Sequence, residues 1–317
     1  MQTDFNPKLP YGFAHRCRGC ACGFVPGRRL FTQALVATGA SAALPALAQR
    51  DGIDVGKQSQ FSKLVPAEQV EEAATQQYSQ LLREARAKNA LGPDNHPQVV
   101  RLRAIAQRLI PHSDEWNPRA RNWKWEVNLI GSKQINAFCM PGGKIAFFYG
   151  ILDQLKISDD EVAMIMGHEM AHALREHARE RMGKTAATRI GAGVLSALLG
   201  LGNTGDAVLN MGGQLLTLKF SREDESEADL VGMDIGARGG YDPRAGVTLW
   251  QKMLNASKGA PPEFLSTHPS GASRIREIEA NLPKALPLYE RAPKPTQRFG
   301  PPAQSEARST QTSPEAR

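Results

Sequence analysis

The hydrophobic positions change their period several times along the chain, and each change marks an element. From residue 66 to 90, Val70, Ala74, Tyr78, Leu81 and Leu82 recur three to four residues apart, which predicts an amphipathic helix. A second helical pattern runs from His96 to Ile110. Trp125, Val127 and Leu129 then alternate with Glu126 and Asn128, the period of a half-buried strand. Pro141-Gly142-Gly143 separates an apolar approach from the stretch Lys144 to Tyr149, so a strand, a tight turn and another strand are expected. Ser158-Asp159-Asp160-Glu161 is a capping box. It opens a helix in which Val162, Ala163, Met164, Ile165 and Met166 make nearly every side apolar, and such a helix is buried. Helical patterns resume at Glu223 to Gly236, Pro243 to Leu254 and Ala272 to Leu282. No internal repeat is present.

The two ends read differently. Residues 28–48 begin with Arg28-Arg29, continue through an apolar, Ala-rich stretch and close on Ala46-Leu47-Ala48, the pattern of an export signal with a small-x-small cleavage site. The arginine pair followed by Leu30-Phe31 is twin-arginine-like. The apolar run is too short and too rich in Gly, Ser and Thr to span a membrane. Residues 1–48 are therefore expected to be a leader, 49–65 a polar linker, 66–290 the folded domain, and 291–317 a Pro-rich disordered tail. The length of the leader leaves the true start codon open. Residues 185–203, rich in Ala, Gly and Leu but broken by Arg189, are expected as a buried helix or a flexible segment over the active site.

Charge and cysteine usage narrow the classes. The net charge is +7, but the first 48 residues carry five basic side chains against one acid, so the body is only mildly basic. No basic stripe or recognised module points to nucleic acid. Three of the four cysteines, Cys17, Cys20 and Cys22, lie in the leader, where their spacing is read as carrying no metal. Cys139 alone remains, so the mature chain has no intramolecular disulfide.

The chemistry concentrates on the buried helix. His168 and His172 stand four apart, so both imidazoles share one helical face, and a divalent metal is an economical partner for buried polar groups. Two neutral imidazoles suit one Zn2+, and Glu169 can serve as general base for an attacking water. The plain alternative is two histidines on an ordinary helix. A catalytic zinc needs a third protein ligand, and the acidic stretch Ser221 to Asp229 offers one. There Glu225 and Asp229 share a face, so Glu225 can bind the metal while Asp229 orients a ligand imidazole, and Glu227 faces elsewhere. The same acids also read as a solvated helix N-terminus.

Taken together, His168-Glu-Met-Ala-His172, the stretch Ser221 to Asp229, Asn136-Ala-Phe with Pro141-Gly-Gly143, and Gly240-Tyr-Asp-Pro243 resemble the HtpX, BepA and CAAX prenyl endopeptidase kind of zinc metallopeptidase. The likeness spans roughly residues 66 to 285 and is greatest to the soluble periplasmic members. It implies an α+β, mostly helical, zincin-like (gluzincin) domain, with Glu225 as third ligand and a small sheet whose edge strand holds substrate. On that reading Lys144, Ile145, Ala146 and Phe147 form the edge strand. The resemblance also implies that Thr267-His268-Pro269, with Arg274 six residues after the histidine, is a loop that can place His268 on the zinc as a latch or contact the transition state. Cys139 and the remaining histidines, His15, His96, His112 and His177, are given no function.

The expected protein is an exported, periplasmic zinc endopeptidase acting on unfolded or misassembled envelope polypeptides, at most peripherally associated with a membrane. Its rivals are a chaperone-like binding protein that keeps zinc for structure and an integral membrane protease.

Overall fold

A computed structural model describes residues 51–188, 215–257, 262–269 and 271–303. The expected leader, and the Ala- and Gly-rich stretch from residue 189 onward, lie outside them.

Among the described residues the main helices and strands follow in chain order as α1 Ala67–Ala87, α2 Pro97–Leu109, β1 Glu126–Ile130, β2 Ala137–Met140, β3 Lys144–Phe148, α3 Tyr149–Gln154, α4 Asp159–Leu174, α5 His177–Thr188, α6 Arg222–Arg238, α7 Ala245–Ala256, α8 Glu263–Thr267 and α9 Ala272–Arg291. The capping box at the head of α4 is complete: the Ser158 hydroxyl accepts from the Glu161 N–H and the Glu161 carboxylate accepts from the Ser158 N–H. The same device opens α6, between Ser221 and Asp224. α9 runs past the predicted stop at Leu282, because Pro283 and Pro287 face solvent while Ala285 and Leu288 are buried in the core. Their packing offsets the two backbone hydrogen bonds that proline removes.

The sheet has the order β1-β3-β2. β3 lies between a parallel partner, with Val127 opposite Ile145, and an antiparallel one, with Cys139 opposite Ile145. The β2–β3 turn needs its glycines. Pro141-Gly142 is the order of a type II turn, with Gly142 at φ +83°, and Gly143 follows at φ +77°. A Cβ on Gly143 would come within 2.7 Å of the Trp125 ring.

α4 is buried along nearly its whole length, between the sheet, α2, α6 and α7. Its closest approach is to α6. A Cβ on Gly167 would meet the Gly232 carbonyl at 2.6 Å, and one on Gly232 would meet the His168 nitrogen at 2.5 Å. These two glycines let the backbones touch one residue away from His168.

Both expected flanks carry order. In the 51–65 stretch Ile53 and Val65 are buried, and the Ile53 N–H donates to Asp234 Oδ2 at 3.0 Å. Beyond α9, Arg298 pairs with Asp160 at 2.8 Å, and the N–H groups of Phe299 and Gly300 donate to Asp159 at the head of α4. Among the described residues, no helix is long and apolar enough to cross a membrane.

Candidate active site

The i, i+4 spacing on α4 does bring His168 and His172 together, with their Nε2 atoms 3.1 Å apart. The α4–α6 contact then delivers Glu225, whose Oε1 lies 3.4 Å from His172 Nε2 and whose Oε2 lies 3.6 Å from His168 Nε2. His268, at the end of α8, completes the group, with its Nδ1 2.9 Å from Glu225 Oε1 and 3.4 Å from His168 Nε2. Each of the four offers one ligand atom, all within 4.8 Å of one another, and all four are buried. Glu169 stands beside them, with Oε1 3.7 Å from His268 Nε2.

Asp229, one helical turn beyond Glu225, meets His168 Nδ1 at 3.0 Å. It also accepts from Arg274 Nε and Nη2, each at 2.7 Å, and from the Trp250 indole N–H at 3.1 Å. Arg274 lies over the Trp250 ring, its Cζ 3.6 Å from the centroid, and its Nη1 is 2.5 Å from Glu225 Oε2. Arg274 is thus spent on the two acids of α6, behind the ligand atoms. Trp250 has no sequence signal, because it reaches the site from α7 through tertiary packing alone.

This arrangement suits a cation. Asp229 accepts a hydrogen bond from His168 Nδ1–H, which leaves the Nε2 lone pair aimed at His172 Nε2 and the Glu225 carboxylate. Burial pushes the His172 imidazole well below its ordinary range, so it is neutral. Glu169 Oε1 is buried and has no hydrogen-bond partner among the described residues. Several lone pairs thus converge in a dry place with too few protons between them, and two imidazole nitrogens plus a carboxylate oxygen are a zinc-type donor set. Burial raises the Glu169 carboxyl, and the nearby His268 and His168 only partly counter it. For Glu225, burial raises the carboxyl too, but the neighbouring His268, in charge and hydrogen bond, together with the nearby His172, reverses the sign and leaves it lowered.

A cleft of about 280 Å³ opens onto Glu169, His172 and His268. Its long wall is β2, and this corrects the expected edge strand. Lys144, Ile145, Ala146 and Phe147 belong to β3, the central strand, paired on both sides. The Pro-Gly-Gly turn folds β3 back inside β2, so among the described residues β2 is the edge strand on the cleft side. Phe148 N–H donates to Asn136 O, so by antiparallel alternation the backbone groups of Ala137 and Cys139 face outward. Leu81, Phe138, Met140, Phe148, Leu215 and Leu216 make much of the cleft apolar.

Residues 98–282, more than half of the chain, match the model of peptidase family M48. The chain belongs to peptidase family M48. The M48 domain is a zincin-like fold, mostly helical with a small three-stranded sheet. Similar proteins include the mitochondrial metalloendopeptidase OMA1 of Schizosaccharomyces pombe, 36% identical over 61% of this chain and 56% of that protein. Two others are from Escherichia coli: the metalloprotease LoiP, 28% identical over 64% of this chain and 78% of that protein, and the beta-barrel assembly-enhancing protease, 27% identical over 61% and 41%. The matched region is 56%, 33% and 60% of the Schizosaccharomyces pombe, Arabidopsis thaliana and Saccharomyces cerevisiae OMA1 proteins, so this M48 chain spans only part of their length.

His177 and Glu227, which the spacing leaves without a role, also lie at this M48 site. His177 Nδ1 is 2.9 Å from His172 Nδ1. Glu227 Oε2 is 3.7 Å from His177 Nε2, and its Oε1 is paired with Arg175.

Proposed function

We propose that this chain is a zinc-dependent endopeptidase in which His168, His172 and Glu225 hold one ion, Glu169 is the general base, and an extended polypeptide lies along β2. The observation that carries this reading is the convergence of two imidazole nitrogens and a carboxylate oxygen beside a buried carboxylate oxygen that has no hydrogen-bond partner among the described residues, at the floor of a cleft edged by a strand with outward-facing backbone groups. A bound zinc ion supplies Lewis acidity toward the scissile carbonyl and the attacking water. The chain's own residues do the rest. The outward N–H and C=O of Cys139 and the C=O of Ala137 pair with the substrate backbone and hold it extended. Glu169, its carboxyl raised by burial, takes the proton of the attacking water and returns it to the leaving amine. Asp229 holds His168 in one tautomer, and Arg274 neutralises the acids of α6. Bulky apolar side chains next to the scissile bond suit the lining of the cleft.

The Arg28-Arg29 leader pattern and the similarity to LoiP and the beta-barrel assembly-enhancing protease support an exported, periplasmic enzyme acting on unfolded or misassembled envelope proteins. His268, which sits on Glu225 and closes on Glu169, supports a latent resting form that opens when the α8 loop moves. The deciding experiment is casein digestion by purified protein beside Glu169→Gln, with zinc measured in both. The wild type cuts and the variant, still holding zinc, does not. Equal cutting by the two sinks the role of Glu169, and zinc-loaded wild type that never cuts is either latent or a chaperone-like binding protein, which His268→Ala separates: cutting by that variant marks latency, and none marks the binding protein.

A further inference from the structure

Both ring nitrogens of His172 are engaged. Nε2 faces the cluster, 3.4 Å from Glu225 Oε1, so Nδ1 is the atom left to orient the ring. Nδ1 is 2.9 Å from His177 Nδ1, a hydrogen-bond distance between two nitrogens that share a single proton. Two arrangements are open. If His177 donated, His172 Nδ1 would be the acceptor and the His172 proton would sit on Nε2, against His168 Nε2, where no cation could then be bound. The lone pair of His177 Nε2 would also face a carboxylate. If His172 donates, its Nε2 lone pair points into the cluster and His177 carries its own proton on Nε2. That proton points toward Glu227 Oε2 at 3.7 Å, within reach of one bridging water or a small rotation of the partly exposed Glu227. Among the described residues His177 Nε2 is buried and has no hydrogen-bond partner otherwise.

We propose that Glu227 and His177 form a positioning relay for His172: the Glu227 carboxylate fixes the His177 tautomer, and His177 in turn fixes that of His172, aiming its Nε2 at the metal. The inference rests on the zinc reading above. It makes the two histidine ligands unlike each other, since His168 is oriented directly by Asp229 and His172 through an intervening imidazole. The surroundings are built for this. Arg175 pairs with Glu227 and donates to the Gly56 carbonyl, so the carboxylate is held from behind. The turn between α4 and α5 places Glu176 at φ +60°, and that reversal swings His177 back beside His172. Phe220 stacks on the His172 ring, with centroids 3.9 Å apart, and shields the pair. His177 itself is only 1% exposed, so a surface role is ruled out.

The test measures zinc affinity of the purified full chain by competition with a chromophoric chelator, together with the thermal midpoint of the zinc-free protein. His177→Leu removes the acceptor and weakens zinc binding about 10- to 100-fold, the usual cost of losing such a partner, with the zinc-free midpoint little changed. His177→Gln, whose amide oxygen can accept from His172 Nδ1, recovers most of that loss. Glu227→Gln, at a partly exposed position, loses a smaller but measurable factor. Zinc affinity of His177→Leu within about twofold of wild type overturns the relay, as does a Gln variant no better than Leu. Should His177→Leu not fold, Glu227→Gln decides, and unchanged affinity there overturns the relay. Wild type that binds no zinc overturns the proposed function and the relay with it, whereas normal binding by wild type and variants alike overturns the relay alone.

Discussion

At the residue scale, the site is a set of buried charges that tolerate no missing partner. Asp229 receives His168, Trp250 and two nitrogens of Arg274, while Arg274 is 5% exposed and has its charge answered by Asp229 and Glu225. Asp229→Asn keeps the shape but leaves a guanidinium half-compensated in a dry place. Breaking a buried pair from one side costs about 3–5 kcal/mol. Urea unfolding of Asp229→Asn should show a loss of that order, and a change below about 0.5 kcal/mol would place Arg274 in water instead. His268 carries a different expectation. Its ring stacks on Phe264 and bonds to Glu225 in the position a substrate group would need. His268→Ala should therefore raise the rate of casein cleavage, and an unchanged or slower rate rejects the latch. His168, Glu169 and His172 are legible in the sequence because an i, i+4 pair is a local geometric fact. That Glu225 and Asp229 share a face is legible for the same reason, while the choice between a ligand with its orienting acid and a solvated helix N-terminus rests on the resemblance. His177 and Glu227 are not legible, because their meeting depends on a turn at Glu176 and on the crossing of two helices, neither of which has a period.

At the scale of elements, the contact of α4 with α6 assembles the site. Gly167 and Gly232 allow it, and the residues on either side of the contact are His168 and the Glu225–Asp229 face. Glycine inside a helix costs about 1 kcal/mol relative to alanine, so on propensity alone Gly232→Ala should stabilise α6. The close approach reverses that sign, because the new Cβ would lie 2.5 Å from the His168 nitrogen. Overpacking of this kind costs about 1–3 kcal/mol. The variant should show a lower urea midpoint together with weaker zinc retention, and a rise in stability would mean that the helices have room to part. The strands teach a related lesson. Their existence and the Pro-Gly-Gly turn are readable, but which of them lies at the edge is not. Lys144–Phe148 and Ala137–Met140 are both apolar, and edge status is decided by where β1 docks, from the far side of β3.

At the scale of the whole molecule, α1 is tied across the sheet by Tyr78, whose hydroxyl donates to the Ile145 carbonyl at 2.5 Å and accepts from Asn128 at 3.0 Å. Burial raises the Tyr78 phenol above its usual range and pushes Tyr241 up to about 12. Phenols in the unfolded chain ionise at about pH 10. The folded state keeps its protons longer, so this share of stability is complete below about pH 10 and is lost as pH rises through the folded values. The urea midpoint should fall steadily across that range and fall less in Tyr78→Phe, and identical profiles would contradict the argument. By itself the sequence determined the longer helices, the turn and the shared face of His168 and His172 with Glu169 beside it, because helical period, capping and glycine chemistry act over a few residues. Only the tertiary structure decided which strand faces the cleft, that Trp250 and Arg274 brace Asp229, that His268 closes on the ligands and that His177 stands behind His172. Each of those depends on two surfaces, distant in the chain, meeting at atomic contact.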